Sequence, residues 1–271
     1  MPMHQIKDGT NFSMNYEIIE GVLPQTTLFI HGNLASNRWW YPAEQEYRKI
    51  AKGQNCKGAM LLAEFRGCGK SSAPNSVDEV SMHTLANDFI SLVQSLNLGP
   101  INIVGHSTGG LIAALMLAKA PELFNKAVLL DPVGAKGVKF DDSMTAAFEQ
   151  MKASKELVGI VMASTIHNNN PETDFFKQIV VEDAFHAVKT VGLYVLKNLD
   201  GFDARQEISK IDNPVLVLHG EHDALLPVAD SKELATLMKN AKFETILGQG
   251  HCTNAENPAK FVEITSKFLF N

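Results

Sequence analysis

The chain has 271 residues, 45% of them apolar, enough to bury an ample core; its cysteines, Cys56, Cys68 and Cys252, suggest neither a disulfide framework nor a metal-ligand spacing. The formal charge of −6, with acids and bases mixed along the chain, leaves no basic stripe for nucleic acid or anionic lipid and points to a small, mostly neutral partner molecule. No stretch reaches roughly 18 uninterrupted apolar residues, and MPMHQIKDGTNFSMNYEII lacks a basic start followed by an apolar core, so the expectation is a soluble protein of a reducing cytoplasm, away from membranes.

In chain order, short apolar runs ending in glycine or a polar residue alternate with helical patterns. TTLFIHG at 26–32, GAMLLAEFRG at 58–67, INIVGHS at 101–107, KAVLLDP at 126–132 and PVLVLHGEHD at 214–223 read as buried strands, with FETIL as the last. Their near-continuous apolar character suits a mostly parallel sheet covered on both faces, with the intervening segments as crossover helices. Ser81 to Leu96, Thr108 to Lys119, Val228 to Lys239 and Pro258 to Phe270 read as such helices, the last with proline in its first turn. Between Asp131 and Pro214 the rhythm breaks: residues 133–207 read as helical, rich in Met and Phe, with no credible strand. The expectation is an α/β core formed by residues 1–132 and 208–271, with 133–207 as a helical cap over the strand ends, where open α/β sheets form their sites.

GHSTGG follows the strand INIV and opens the helix LIAALMLAKA. A lone G-x-S-x-G match is weak, but strand, turn and helix in that order are the context a nucleophile elbow requires. The turn would hold Ser107 in a strained conformation with its hydroxyl out of the sheet, and the Thr108 N–H at the helix start would face developing negative charge. Serine needs a base, and the base needs a carboxylate to hold its tautomer. Asp223, just past PVLVLHG, and His251, in GQGHCTNAENP after the last strand, fit in chain order. Asp131, ending the preceding strand, is the rival acid; Glu221 and His222 are nearer rivals by position, and His219 has no comparable setting. A second oxyanion donor would come from the backbone of Asn33 or Leu34 in HGNLASN, across the cleft from Ser107.

Together, HGNLASNRWW, EFRGCGKSS, GHSTGG, HGEHDALLP and GQGHCTNAENP resemble the α/β-hydrolase superfamily, in its esterase, lactonase and C–C hydrolase branch with a helical cap. The resemblance covers nearly the whole chain and implies the α/β-hydrolase fold, with a triad at Ser107, Asp223 and His251 and an oxyanion hole at Asn33 or Leu34 and Thr108. Glu64 departs from the family pattern D-x-R-G-x-G-x-S, and a serine nucleophile sets the chain apart from branches that use aspartate there. The sequence implies no cofactor and no metal.

Trp39, Phe148, Met151 and Phe176 are candidate substrate-binding residues, since Met and aromatic side chains adapt to varied apolar ligands; Met144, Met162, Phe175, Phe185 and Tyr194 belong to the same apolar set. Arginine occurs only at positions 38, 48, 66 and 205, so the cap has little to clamp a substrate carboxylate; Lys136 and Lys139 could serve weakly. The expected reaction is hydrolysis of a carboxylic ester or lactone through an acyl-enzyme on Ser107, with activity rising with pH as the base loses its proton. The alternatives are C–C bond hydrolysis of a dienoate and a non-catalytic ligand-binding homologue.

Overall fold

A computed structural model of the chain describes residues 2–6, 10–53 and 55–271. Its centre is an eight-stranded sheet: β1 (Met3–Gln5), β2 (Ser13–Leu23), β3 (Thr27–Ile30), β4 (Gly58–Ala63), β5 (Ile101–His106), β6 (Phe124–Leu130), β7 (Val215–Gly220) and β8 (Ala241–Ile246), in the spatial order β1-β2-β4-β3-β5-β6-β7-β8. Across the sheet from β4 to β8 every neighbouring pair is parallel, while β1 on β2 and β2 on β4 are antiparallel. The six parallel strands are those read from sequence. β1 and β2 escaped that reading because SMNYEIIEGVL alternates too irregularly, with only its ends well buried.

β3, β4, β5 and β7 are buried at every position, as strands covered on both faces must be. One face packs on α2 (Met82–Leu96), α3 (Thr108–Lys119) and α9 (Val228–Leu237), with Leu28, Ile103, Leu129 and Val217 meeting Phe89, Leu111 and Leu234. The other packs on α1 (Tyr41–Ala51) and α11 (Pro258–Leu269), where Phe29, Leu62, Val104 and Leu218 meet Trp40, Tyr47 and Phe261; the single turn α10 (Thr253–Glu256) leads into α11. The N-cap of α2 is Ser81, whose hydroxyl accepts from Thr84 N at 3.1 Å. The unbroken apolar surface of α3 reflects its position: ten of its twelve residues are buried.

Between β6 and β7 the chain runs through α4 (Asp142–Ala153), α5 (Lys155–Thr165), a π-turn at Phe176–Val180, α6 (Val181–Thr190), α7 (Gly192–Leu199) and α8 (Arg205–Ile208), with no strand among the described residues. These helices share a third apolar cluster, Phe148, Met151, Val158, Met162 and Val180, with Trp39 and Cys252 of the surrounding core. Polar ties fasten them down: Arg38 and Ser36 bond Asp183, Thr190 Oγ1 donates to Gly67 O at 2.6 Å, and Asn198 Nδ2 donates to Val77 O at 2.8 Å. No helix among the described residues is long and apolar enough to cross a membrane.

Candidate active site

The turn between β5 and α3 has the shape its glycines demand. Ser107 sits at φ 55° and ψ −120°, outside the regions open to most side chains, and such outliers persist where the surroundings enforce them. A Cβ at position 105 would lie 2.2 Å from Gly109 O, and one at 109 would lie 2.4 Å from His31 O. Only glycine lets the strand, the helix start and the loop after β3 pass this closely. Ser107 N–H donates to Leu130 O at 2.9 Å, fastening the elbow to β6.

Asp223 and His251 meet across two loops stitched edge to edge. His222 N–H donates to Gln249 O at 2.8 Å and Glu221 N–H to Ile246 O at 3.1 Å, and a Cβ on Gly220 would fall 2.0 Å from Gly250 O. His251 Nδ1 then lies 2.8 Å from Asp223 Oδ2, while Asp223 Oδ1 accepts from the amides of Leu225 at 2.8 Å and Leu226 at 3.1 Å. Burial pushes the Asp223 carboxyl up, but the bond and charge of His251 and the two amides outweigh it and hold the group below the usual carboxylate range. The tether fixes the imidazole with its Nδ1–H on the carboxylate, leaving Nε2 as the basic nitrogen.

Asp131 and His219 also belong to this neighbourhood, and His219 corrects the sequence reading that gave it no such setting. Its Nε2 lies 3.8 Å from Asp223 Oδ2, and its Nδ1 lies 3.7 Å from Asp131 Oδ1 and 2.9 Å from Ser231 Oγ. Donor atoms of Asp131, Asp223 and His251 all fall within 4.8 Å of one another, but Asp223 Oδ2 and His251 Nδ1 are already spent on each other. Asp131 is fully buried at φ 43°, its Oδ1 accepting from Gly220 N at 2.7 Å and its Oδ2 facing no partner. Burial drives its carboxyl well above the usual range, against the pull of the Gly220 amide and with the help of the Asp223 and Glu256 charges. Of the nearer rivals, Glu221 accepts from Gly248 N at 2.9 Å, and the His222 ring lies 4.5 Å from that of His167. Glu256 was missed: its carboxylate accepts from Gly250 N at 2.7 Å and Cys252 N at 3.0 Å, bracing the backbone on both sides of His251.

Two further imidazoles are structural. His31 Nδ1 donates to Gly32 O at 2.8 Å, and His106 Nε2 donates to the His251 carbonyl at 2.8 Å. Burial pushes His31 down to about 4; burial and the His251 charge push His106 down to about 3. An unfolded chain protonates these rings near 6.5, so their stabilising contribution is full above that pH and is lost as pH falls toward the folded values. His106→Gln keeps a donor for the carbonyl. The stability of the wild type relative to this variant is expected to fall by about 1.4 kcal/mol per pH unit below the ordinary histidine range. Urea unfolding at several pH values reads this, and the buried carboxyls, common to both proteins, cancel; a pH-independent difference would show that His106 is not held neutral.

Ser107 and His251 line one cavity of about 300 Å³. Asn33, Leu34, Thr108, Trp39, Phe148 and Met151 line it too, with Met144 and Met162 from the inserted helices and Val133, Leu225 and Leu226 from the core. No Asp, Glu, Lys or Arg is among its described lining residues. Phe176 is a correction: it is 5% exposed but sits in the cluster among the inserted helices, off the cavity wall, because the π-turn that carries it packs onto the short turn at Asn37–Trp40. Phe175, Phe185 and Tyr194 are likewise absent from the wall, as helical stripes spent on packing are. All four arginines are paired: Arg38 with Asp183, Arg48 with Glu44, Arg66 with Asp88 and Arg205 with Asp203. Thr108 is the first residue of α3, so its N–H has no intrahelical acceptor. The Leu34 N–H, by contrast, donates to Asn33 Oδ1 at 3.1 Å.

Comparison with known proteins agrees with this architecture. A family model described as alpha/beta hydrolase fold matches residues 28–258. The chain is similar to the sn-1-specific diacylglycerol lipase of Mus musculus, 24% identical over 277 residues that cover 94% of this chain and 85% of that protein. Among solved structures it resembles an esterase from Exiguobacterium antarcticum, with a TM-score of 0.83 at 20% identity over 99% of both chains. It also resembles the enol-lactonase from Burkholderia xenovorans LB400, with a TM-score of 0.81 at 20% identity over 100% of both chains.

Proposed function

The chain belongs to the alpha/beta hydrolase fold family, and on that premise we propose that it hydrolyses a carboxylic ester or lactone of a small, mostly apolar substrate through an acyl-enzyme on Ser107. The reading is carried by one observation: Ser107, held at φ 55°, and His251, tethered to Asp223 at 2.8 Å, line a cavity whose described wall carries no Asp, Glu, Lys or Arg. His251 Nε2 takes the Ser107 proton as Oγ attacks the carbonyl, returns it to the leaving group, and then activates water for deacylation. The N–H of Thr108 and that of Asn33 receive the oxyanion. Asn33 is preferred to Leu34 because the Leu34 N–H is already bonded to the Asn33 side chain.

A neutral acyl group suits the apolar wall, whereas a substrate carboxylate would enter it unpaired, at a cost of several kcal/mol. A panel of neutral esters of graded chain length, lactones and dienoates tests the reading, together with an active-site phosphonate probe. The expected result is turnover of neutral esters or lactones, and stoichiometric labelling that vanishes in Ser107→Ala. Turnover of dienoates alone would move the assignment to C–C hydrolysis, and failure to label would favour a ligand-binding role.

A further inference from the structure

One side chain joins the loop after β3 to the start of α7. Asn33 Nδ2 donates to the Gly192 carbonyl at 3.1 Å, and Asn33 Oδ1 accepts from the N–H of Leu34, also at 3.1 Å. Leu34 itself stands at φ 62°, a left-handed conformation that a leucine adopts only when its surroundings insist. The loop is pressed from both sides. A Cβ on Gly192 would lie 2.4 Å from Leu34 Cδ2 and 3.0 Å from Phe148 Cε1, and a Cβ on Gly32 would lie 3.0 Å from Ser107 Cβ.

A primary amide is the short side chain that offers a donor and an acceptor in one rigid plane, and both are used here. Alanine at position 33 would lose both bonds, the donor to Gly192 and the acceptor for Leu34, and would add no charge. A methyl group on Gly192 would leave the carbonyl in place and press on Leu34 at a second contact between the same loop and helix.

We propose that the Asn33 side chain is a positioning residue that registers the second oxyanion amide against the first turn of α7, so that seating of the inserted helices and readiness of the oxyanion site are a single event. This rests on the reading of Ser107 as nucleophile. The side chain is not assigned a bond to substrate, so its loss leaves ground-state binding alone and misaligns a donor whose bond matters most at the tetrahedral intermediate.

The test compares Asn33→Ala, which removes the side-chain bonds without placing a charge beside the oxyanion, Gly192→Ala and the double variant with the wild type. Each single change is expected to lower kcat by about ten- to a hundredfold, with KM within about twofold, since a misplaced group costs turnover before it costs binding. Because both changes loosen one junction between the loop and α7, through different contacts, the double variant should lose less than the product of the single losses. A loss equal to the product of the single losses, or a loss carried by KM, would overturn the proposal. Hydrogen exchange on the intact chain gives a readout that does not depend on turnover: Asn33→Ala should speed exchange at residues 33–36 and 190–196 together, and acceleration confined to the loop would also overturn it. Phosphonate labelling of the wild type separately decides the reading of Ser107, and the exchange result stands whichever way that falls.

Discussion

Ser107→Ala is expected to lower kcat by about 10⁶-fold and to leave the fold intact. That figure is the loss seen when a nucleophile is removed from a working triad, with residual turnover supplied by the oxyanion donors and by binding alone. The hydroxyl contributes little to stability, because the elbow is held by backbone bonds, Ser107 N–H to Leu130 O at 2.9 Å and Gly110 N–H to Ser107 O at 2.9 Å, which alanine preserves. Alanine also keeps the strain of φ 55°, whereas glycine removes it. Ser107→Gly should therefore be the more stable of the two inactive variants by about 1 kcal/mol, the part of the positive-φ penalty left after glycine's own entropic cost. Steady-state kinetics with the best ester of the panel and thermal unfolding of the three proteins check both statements. Activity in Ser107→Ala above about a hundredth of wild type would remove Ser107 from the nucleophile's role.

The parallel sheet was legible because its strands are buried on both faces and so appear as continuous apolar runs, and the elbow because glycines at 105 and 109 mark backbones that pass within 2.5 Å of where a Cβ would be. The antiparallel β2 was not, since its alternation is broken by Glu17, Glu20 and Gly21 on a half-exposed surface. Phe148 and Met151 could not be told from Phe176 by sequence, because all three lie on apolar helical faces and only the packing decides which face meets the cavity. His219 and Glu256 were hidden for a related reason. Their significance comes from contacts across loops: His219 stands 3.8 Å from Asp223, and Glu256 bonds the amides on either side of His251.

The sharpest remaining choice lies between two carboxyls, and it predicts opposite outcomes for two isosteric changes. Asp223→Asn is expected to cost about 10⁴ in kcat, because an amide in that place stabilises the wrong imidazole tautomer and supplies no charge to the imidazolium. Asp131→Asn should cost no more than one neutral hydrogen bond, about 0.5–1.5 kcal/mol or roughly tenfold. The amide introduced at position 131 would still accept from Gly220 N through its Oδ1, and the oxygen that is lost is one that faces no partner. The electrostatics point the same way. Two carboxyls this close resist ionising together; the amides of Leu225 and Leu226 and the His251 bond favour charge on Asp223, while burial and that charge keep the proton on Asp131. His219, its own pKa lowered chiefly by burial, lies between them without adding a fixed positive charge. The double variant completes the argument. If Asp131 supplied charge to His251 in the absence of Asp223, Asp223→Asn would retain activity that the second substitution removes; on the present assignment the double variant is no slower than Asp223→Asn beyond that same roughly tenfold factor. Near-wild-type turnover in Asp223→Asn with collapse in Asp131→Asn would transfer the role to Asp131.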